Sequence, residues 1–166
     1  MHTVEQAAST LALRSAMEAR DLDAVLDAFT PNAVLRSPLT SKLAFQGREQ
    51  IGAVTRVVLD VFEDLRYTDE VRSGRSGFLV ATARVGGQEI EIVDHLRLDE
   101  QGRVEEMTVF FRPLPATAVA LRLIGVGLAR RRSRVRAAII AVLARPLEFF
   151  TRTGDGVGVR LIRPTL

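Results

Sequence analysis

The sequence predicts an α+β domain, a curved antiparallel sheet folded over N-terminal helices, followed by a C-terminal helical extension. Apolar residues recur at helical spacing up to Glu63, whereas strand-like runs fill Leu65 to Val71, Gly77 to Val85, Gln88 to Leu98 and Val104 to Arg112. The strand-like runs are separated only by SGRSG, GG and DEQG. Such short connections make antiparallel hairpins and leave no room for the crossovers of a parallel sheet. From Pro115 onward the composition changes: Ala116 to Ala129 and Ala137 to Ala144 are almost wholly apolar and flank an arginine-rich block.

Taken in order, residues 3 to 19 set Val4, Ala7, Ala8, Leu11 and Met17 at helical spacing. Asp21 is a suitable N-cap for a short second helix whose buried stripe is Leu22, Val25, Leu26 and Phe29, ended by Thr30-Pro31-Asn32. Ala33 to Arg36 reads as a short strand stopped by Ser37-Pro38. After a loop, Gly47-Arg48-Glu49 leads into a third helix, Gln50 to Glu63, with Ile51, Val54, Val58, Leu59 and Phe62 on one side. Gly86-Gly87 is the strongest hairpin signal in the chain. In the tail, the pattern predicts two helices or one long one, with Thr151 to Gly158 as a glycine-rich loop and Val157 to Ile162 as an edge strand or loose end.

At 166 residues the chain holds one ordinary domain, residues 1–114, with residues 115–166 as an extension. It contains no cysteine, which excludes disulfides, thiolate metal sites and cysteine nucleophiles. No apolar run of signal-peptide length marks the N-terminus, so a cytoplasmic location is the expectation. The net charge of +3 conceals an asymmetry: residues 1–114 carry 13 basic and 18 acidic side chains, a net −5, and residues 115–166 carry 10 basic and 2 acidic, a net +8. An acidic body with a basic tail points to a separate role for the tail.

Ile90, Ile92, Asp94, Leu96 and Leu98 share one face of the penultimate strand, and Glu91, Val93, His95 and Arg97 the other. Asp94 thus occupies the apolar register. A carboxylate there is costly unless it is hydrogen-bonded, protonated or facing a cavity. Two readings follow: a functional acid in a pocket, or a structural residue paired with Arg112, a tyrosine or a backbone amide. His95 is expected on the outer surface.

The order helix, helix with ARDLDAVLDAF, short strand ending in SP, helix after FQGREQI and sheet ending in GRVEEMTVFFRP resembles the nuclear transport factor 2-like superfamily. Within it, Val93-Asp94-His95-Leu96-Arg97-Leu98 followed by Gly102-Arg103-Val104 and Met107 resembles the SnoaL-like and ketosteroid isomerase-like branch. The resemblance covers residues 5 to 113. It implies a cone-shaped fold with a pocket for a small hydrophobic, steroid- or polyketide-like ligand, a homodimer, and isomerase, cyclase or epoxide hydrolase chemistry that requires no metal or organic cofactor. It places the neutral acid of the isomerase oxyanion hole on Asp94, the general base on Ser37 and the tyrosine donor on Leu13. Neither serine nor leucine can fill those last two roles. The arginine of the epoxide hydrolases' Asp-Arg-Asp arrangement falls on Ile92.

Ser37, Phe62, Tyr67, Phe110 and Arg112 are the remaining candidate ligand contacts. Tyr67, the only tyrosine, is either a pocket donor or rim packing, and Arg112 either binds an anionic group or caps the sheet edge. Phe45, Phe62, Phe78, Phe110 and Phe111 are expected as core and pocket lining. Arg130, Arg131, Arg132, Arg134 and Arg136 suit an anionic membrane surface, and nucleic acid less well. The competing reading is a helical extension packed over the pocket or on a partner subunit, its arginines in water.

Overall fold

The computed structural model describes residues 2–38 and 40–162. Helices α1 (His2–Glu18) and α2 (Leu22–Asp27) precede strands β1 (Phe29–Arg36) and β2 (Ala44–Gln46). Helix α3 (Gly47–Val61) leads into β3 (Phe62–Ser73), β4 (Ser76–Val85), β5 (Gln88–Leu98) and β6 (Val104–Arg112), and helices α4 (Leu114–Arg130) and α5 (Arg134–Ile162) close the chain. The six strands form one curved sheet in the order β2-β1-β6-β5-β4-β3, antiparallel throughout except for the parallel pair β1 and β6.

Local chemistry explains the elements. Asp21 caps α2, its carboxylate accepting the Ala24 N–H at 3.1 Å. Phe29 and Phe62, expected at the ends of helices, instead open strands β1 and β3, because each helix stops one or two residues earlier; both rings stay buried. Pro31 is accommodated inside β1 because the pairing with β6 shifts register between Phe29 and Val34, and no ladder bond is required of it. Gly86 and Gly87 have φ of 53° and 80°, as the two-residue turn joining β4 to β5 demands.

The core lies between the concave face of the sheet and helices α1 to α4, and includes Leu13, Val25, Ile51, Leu79, Ile90, Leu96, Leu98 and Val119. The expected stripe at Val4, Ala7 and Ala8 lies outside the described side chains. In the tail, the backbone stays helical through Ile162, so the expected loop at Thr151 to Gly158 and edge strand at Val157 to Ile162 are not formed. Glycine raises the cost of helix by only about 1 kcal/mol per residue, which the preceding turns can carry. Pro146 lies inside the same helix.

Candidate functional site

The site is a cavity of about 460 Å³ under the curved sheet. Its walls come from α1 (Leu13, Met17), α3 (Val54, Thr55, Val58), β5 (Ile92, Asp94) and β6 (Met107, Val109, Phe111). Its roof is the tail, through Leu121, Ile124, Gly125 and Leu128 of α4 and Ile140 of α5. Asp94 and Tyr67 are the titratable side chains on this lining.

The strand period sets the orientation of the acid. Along β5, Ile90, Ile92, Asp94, Leu96 and Leu98 are all buried, and Asp94 lies opposite Leu79 of β4 and Val109 of β6. Asp94 is only 2% exposed. Tyr67 of β3 pairs with Ala81, and Ala81 with Ile92, so the tyrosine ring crosses the sheet over a methyl group to reach the strand beyond. Its hydroxyl donates to Asp94 Oδ2 at 3.2 Å. A bulge between Tyr67 and Asp69 interrupts the ladder here, and the Tyr67 N–H donates to Glu18 Oε1 of α1 at 2.8 Å. Asp94 Oδ1 has no hydrogen-bond partner.

Burial pushes the Asp94 carboxyl up to about 7, with the Tyr67 hydrogen bond pulling the other way. The Tyr67 hydroxyl is held well above its ordinary range by burial first and by the neighbouring carboxylate second. Near neutral pH Asp94 therefore populates both its neutral and its ionised form, with Oδ2 held by Tyr67 and Oδ1 buried without a partner. In its neutral form, Oδ1 can donate a hydrogen bond to a ligand oxygen while Oδ2 accepts from Tyr67, each bond polarising the other.

The structure brings Asp94, Tyr67, Ser37 and Phe62 together on the cavity, with Phe45 and Phe111 beside them. Arg112 and Phe110 are not with them. Strand β6 directs Met107, Val109 and Phe111 inward, so Phe110 and Arg112 point to the opposite face. There Arg112 pairs with Glu91 at 2.9 Å, and Phe110 is 54% exposed. An Asp94–Arg112 pair is thereby ruled out by parity: Arg112 lies opposite Glu91, an outer-face residue of β5. His95 is on the outer face as expected, stacked on Phe78 at 4.5 Å with Ser76 Oγ 3.1 Å from its Nε2. Phe78 is thus surface and not lining.

Sequence reasoning missed Thr55. It is a buried polar side chain on the cavity wall, and its signal was there: it continues the buried stripe of Ile51 and Leu59 at intervals of four, just as Asp94 interrupts an apolar strand face. Leu13 and Ser37 both reach the cavity, so the positions of the tyrosine donor and the base are occupied in space by residues that cannot perform those roles. Among the described residues no group of three or more His, Cys, Asp or Glu side chains could hold a metal ion.

An unclosed six-stranded sheet wrapped over helices, with a buried acid at the base of an apolar pocket, defines the cone-like α+β architecture of nuclear transport factor 2-like proteins. The model of the SnoaL-like domain matches residues 11–107, and the chain belongs to that family. Among solved structures it is similar to a steroid delta-isomerase from Pseudomonas aeruginosa, with 31% identity over 81% of this chain and 96% of the other, at a TM-score of 0.67. An NTF-2 like protein of unknown function from Burkholderia xenovorans LB400 matches at 19% identity over 67% of this chain and 85% of its own, TM-score 0.60. The epoxide hydrolase/cyclase-like enzyme SalBIII, of pyran ring formation in polyether salinomycin, matches at 18% identity over 68% and 95%, TM-score 0.57. The last two establish the fold alone. No functionally curated protein matches the chain.

Proposed function

We propose that the chain binds a small hydrophobic, steroid- or polyketide-like molecule in the cavity, with an oxygen-bearing end seated on Asp94, and promotes a cofactor-independent isomerisation or cyclisation. The single observation that carries this is Asp94 on the wall of a largely apolar cavity with its buried Oδ1 holding no hydrogen-bond partner. A buried carboxyl left half-satisfied is unfavourable in the empty protein, and a ligand carbonyl would satisfy it. The hydrogen bond would strengthen as negative charge develops on that oxygen, the condition for stabilising an enolate-like transition state. Epoxide hydration fits less well, since it calls for a second carboxylate and an arginine, and among the described residues the cavity lining holds no carboxylate besides Asp94 and no arginine.

A non-catalytic binding module is the second reading, favoured by Leu13 and Ser37 on the cavity wall. A homodimer completes the proposal: on the outer face of the sheet, Val80, Val93 and the exposed ring of Phe110 form a cross-strand apolar row beside the Glu91–Arg112 ion pair. Sedimentation equilibrium reads that directly.

The chain carries its own probe of the site, because Tyr67 is the only tyrosine and there is no tryptophan. Titrating steroid enones and aromatic polyketides against Tyr67 fluorescence identifies a ligand. With that ligand, Asp94→Asn is expected to reduce turnover on the order of 10²-fold while binding persists. Unchanged turnover removes Asp94 as the catalytic acid, binding without turnover of any panel member leaves the binding-module reading standing, and the absence of any fluorescence change across the panel removes both.

A further inference from the structure

Helix α5 has two unlike faces. Ala137, Ile140, Ala141 and Glu148 turn toward α4, where Ala137 packs with Val126 and Ala129, and Glu148 accepts from Arg122 Nε at 2.6 Å. The opposite side carries Val135, Ile139, Val142, Leu143, Phe149 and Phe150, each between 53% and 72% exposed. At about 100° per residue these six fall within one sector of the helix circumference. Arg136 borders one edge of the sector, and Arg134 and Arg145 border the other; all three are exposed. Arg130, Arg131 and Arg132 lie exposed at the α4–α5 junction. The one described acidic side chain of the tail, Glu148, is on the packed face and already paired.

We propose that α5 lies in the plane of an anionic phospholipid surface, with Val135, Ile139, Val142, Leu143, Phe149 and Phe150 inserted among the acyl chains and the bordering arginines on the headgroup phosphates. No helix among the described residues is long and apolar enough to cross a membrane, and an apolar sector bordered by arginine matches an interfacial helix instead. A second copy is the wrong occupant: two such faces brought together would oppose arginine rims that carry no described acid to neutralise them. Nucleic acid could take the arginines but would leave the apolar sector in water.

The test uses the full chain and co-sedimentation with phosphatidylcholine vesicles, with and without phosphatidylglycerol. Binding is expected only with phosphatidylglycerol, and to weaken with salt. Replacing Arg134, Arg136 and Arg145 by Gln together should weaken partition on the order of a hundredfold. Phe149→Ser with Phe150→Ser should weaken it at least tenfold. Both variants should keep the parent's melting temperature, because the changed side chains stand in solvent. The proposal is overturned by failure to sediment with either vesicle, by partition indifferent to the phenylalanine pair, or by a self-association that the phenylalanine variant abolishes while no vesicle binds.

Discussion

Two buried carboxylates stand five residues apart, one midway along β5 under the cavity and one in the turn leaving it. Asp99 is 7% exposed and fully engaged: its carboxylate accepts the Arg103 N–H at 2.7 Å and the Arg103 guanidinium at 3.0 Å, and its own N–H donates to the Arg103 carbonyl. Asp94 is more deeply buried and holds one partner, Tyr67, leaving an oxygen bare. Depth of burial alone therefore does not mark a site. The difference is whether the fold completes the group's hydrogen bonds or leaves one for something else to complete.

The largest test of this contrast is pH. The Asp94 carboxyl titrates near 7 in the folded chain and near 4 when unfolded, so folding takes up a proton between those values. At this site the folded state then binds more protons than the unfolded, so the contribution of Asp94 to stability should be greatest below about pH 4 and fall between about pH 4 and 7, by on the order of 4 kcal/mol. Urea unfolding across that range should lose this slope in Asp94→Asn, and a slope that survives the substitution would reassign it to another group. Next in size is Asp99→Ala, which strips the turn of its acceptor. It should cost about 1 to 3 kcal/mol in urea unfolding and leave the cavity ligand's affinity unchanged; lost affinity would erase the distinction between the two acids. Smallest is Tyr67→Phe, expected to cost about 1 kcal/mol. It should raise the Asp94 carboxyl further, since it removes the hydrogen bond holding it down. Carbon-13 titration of the aspartate carboxyl reads that shift, and a downward one contradicts the pairing.

Much of this site was legible in the residues. Period-two alternation on β5 was enough to turn Asp94 inward, and the turn glycines were enough to order four strands. Tyr67 was legible only as a candidate, because the bulge after it shifts its pairing with β4, and no local pattern reveals which side chain lies diagonally across two strands. Phe110 and Arg112 are expected on the pocket, but strand parity sends both to the outer face. Of two adjacent aromatic residues in a strand one must face out, and the inward pair of Asp94 with Val109 settles that it is Phe110. The tail was legible as helical from its composition, whereas its seat on the cavity depends on close packing far along the chain. Gly127 illustrates it: a Cβ there would stand 2.5 Å from Val57 Cγ1, so α4 rests on α3 by virtue of a missing methyl group.

The roof has a further consequence for how such a protein can change over time. The buried Tyr67–Asp94 pair lies on β3 and β5, inside the span matched by the SnoaL-like domain, whereas Leu121, Ile124, Leu128 and Ile140 lie beyond residue 107. The buried acid and the roof over its cavity are thus written in separate stretches of the chain. Substitutions in the appended helices can enlarge, narrow or reshape the chamber while the acid and its tyrosine keep their geometry, so the size of the cavity can change independently of the buried pair beneath it.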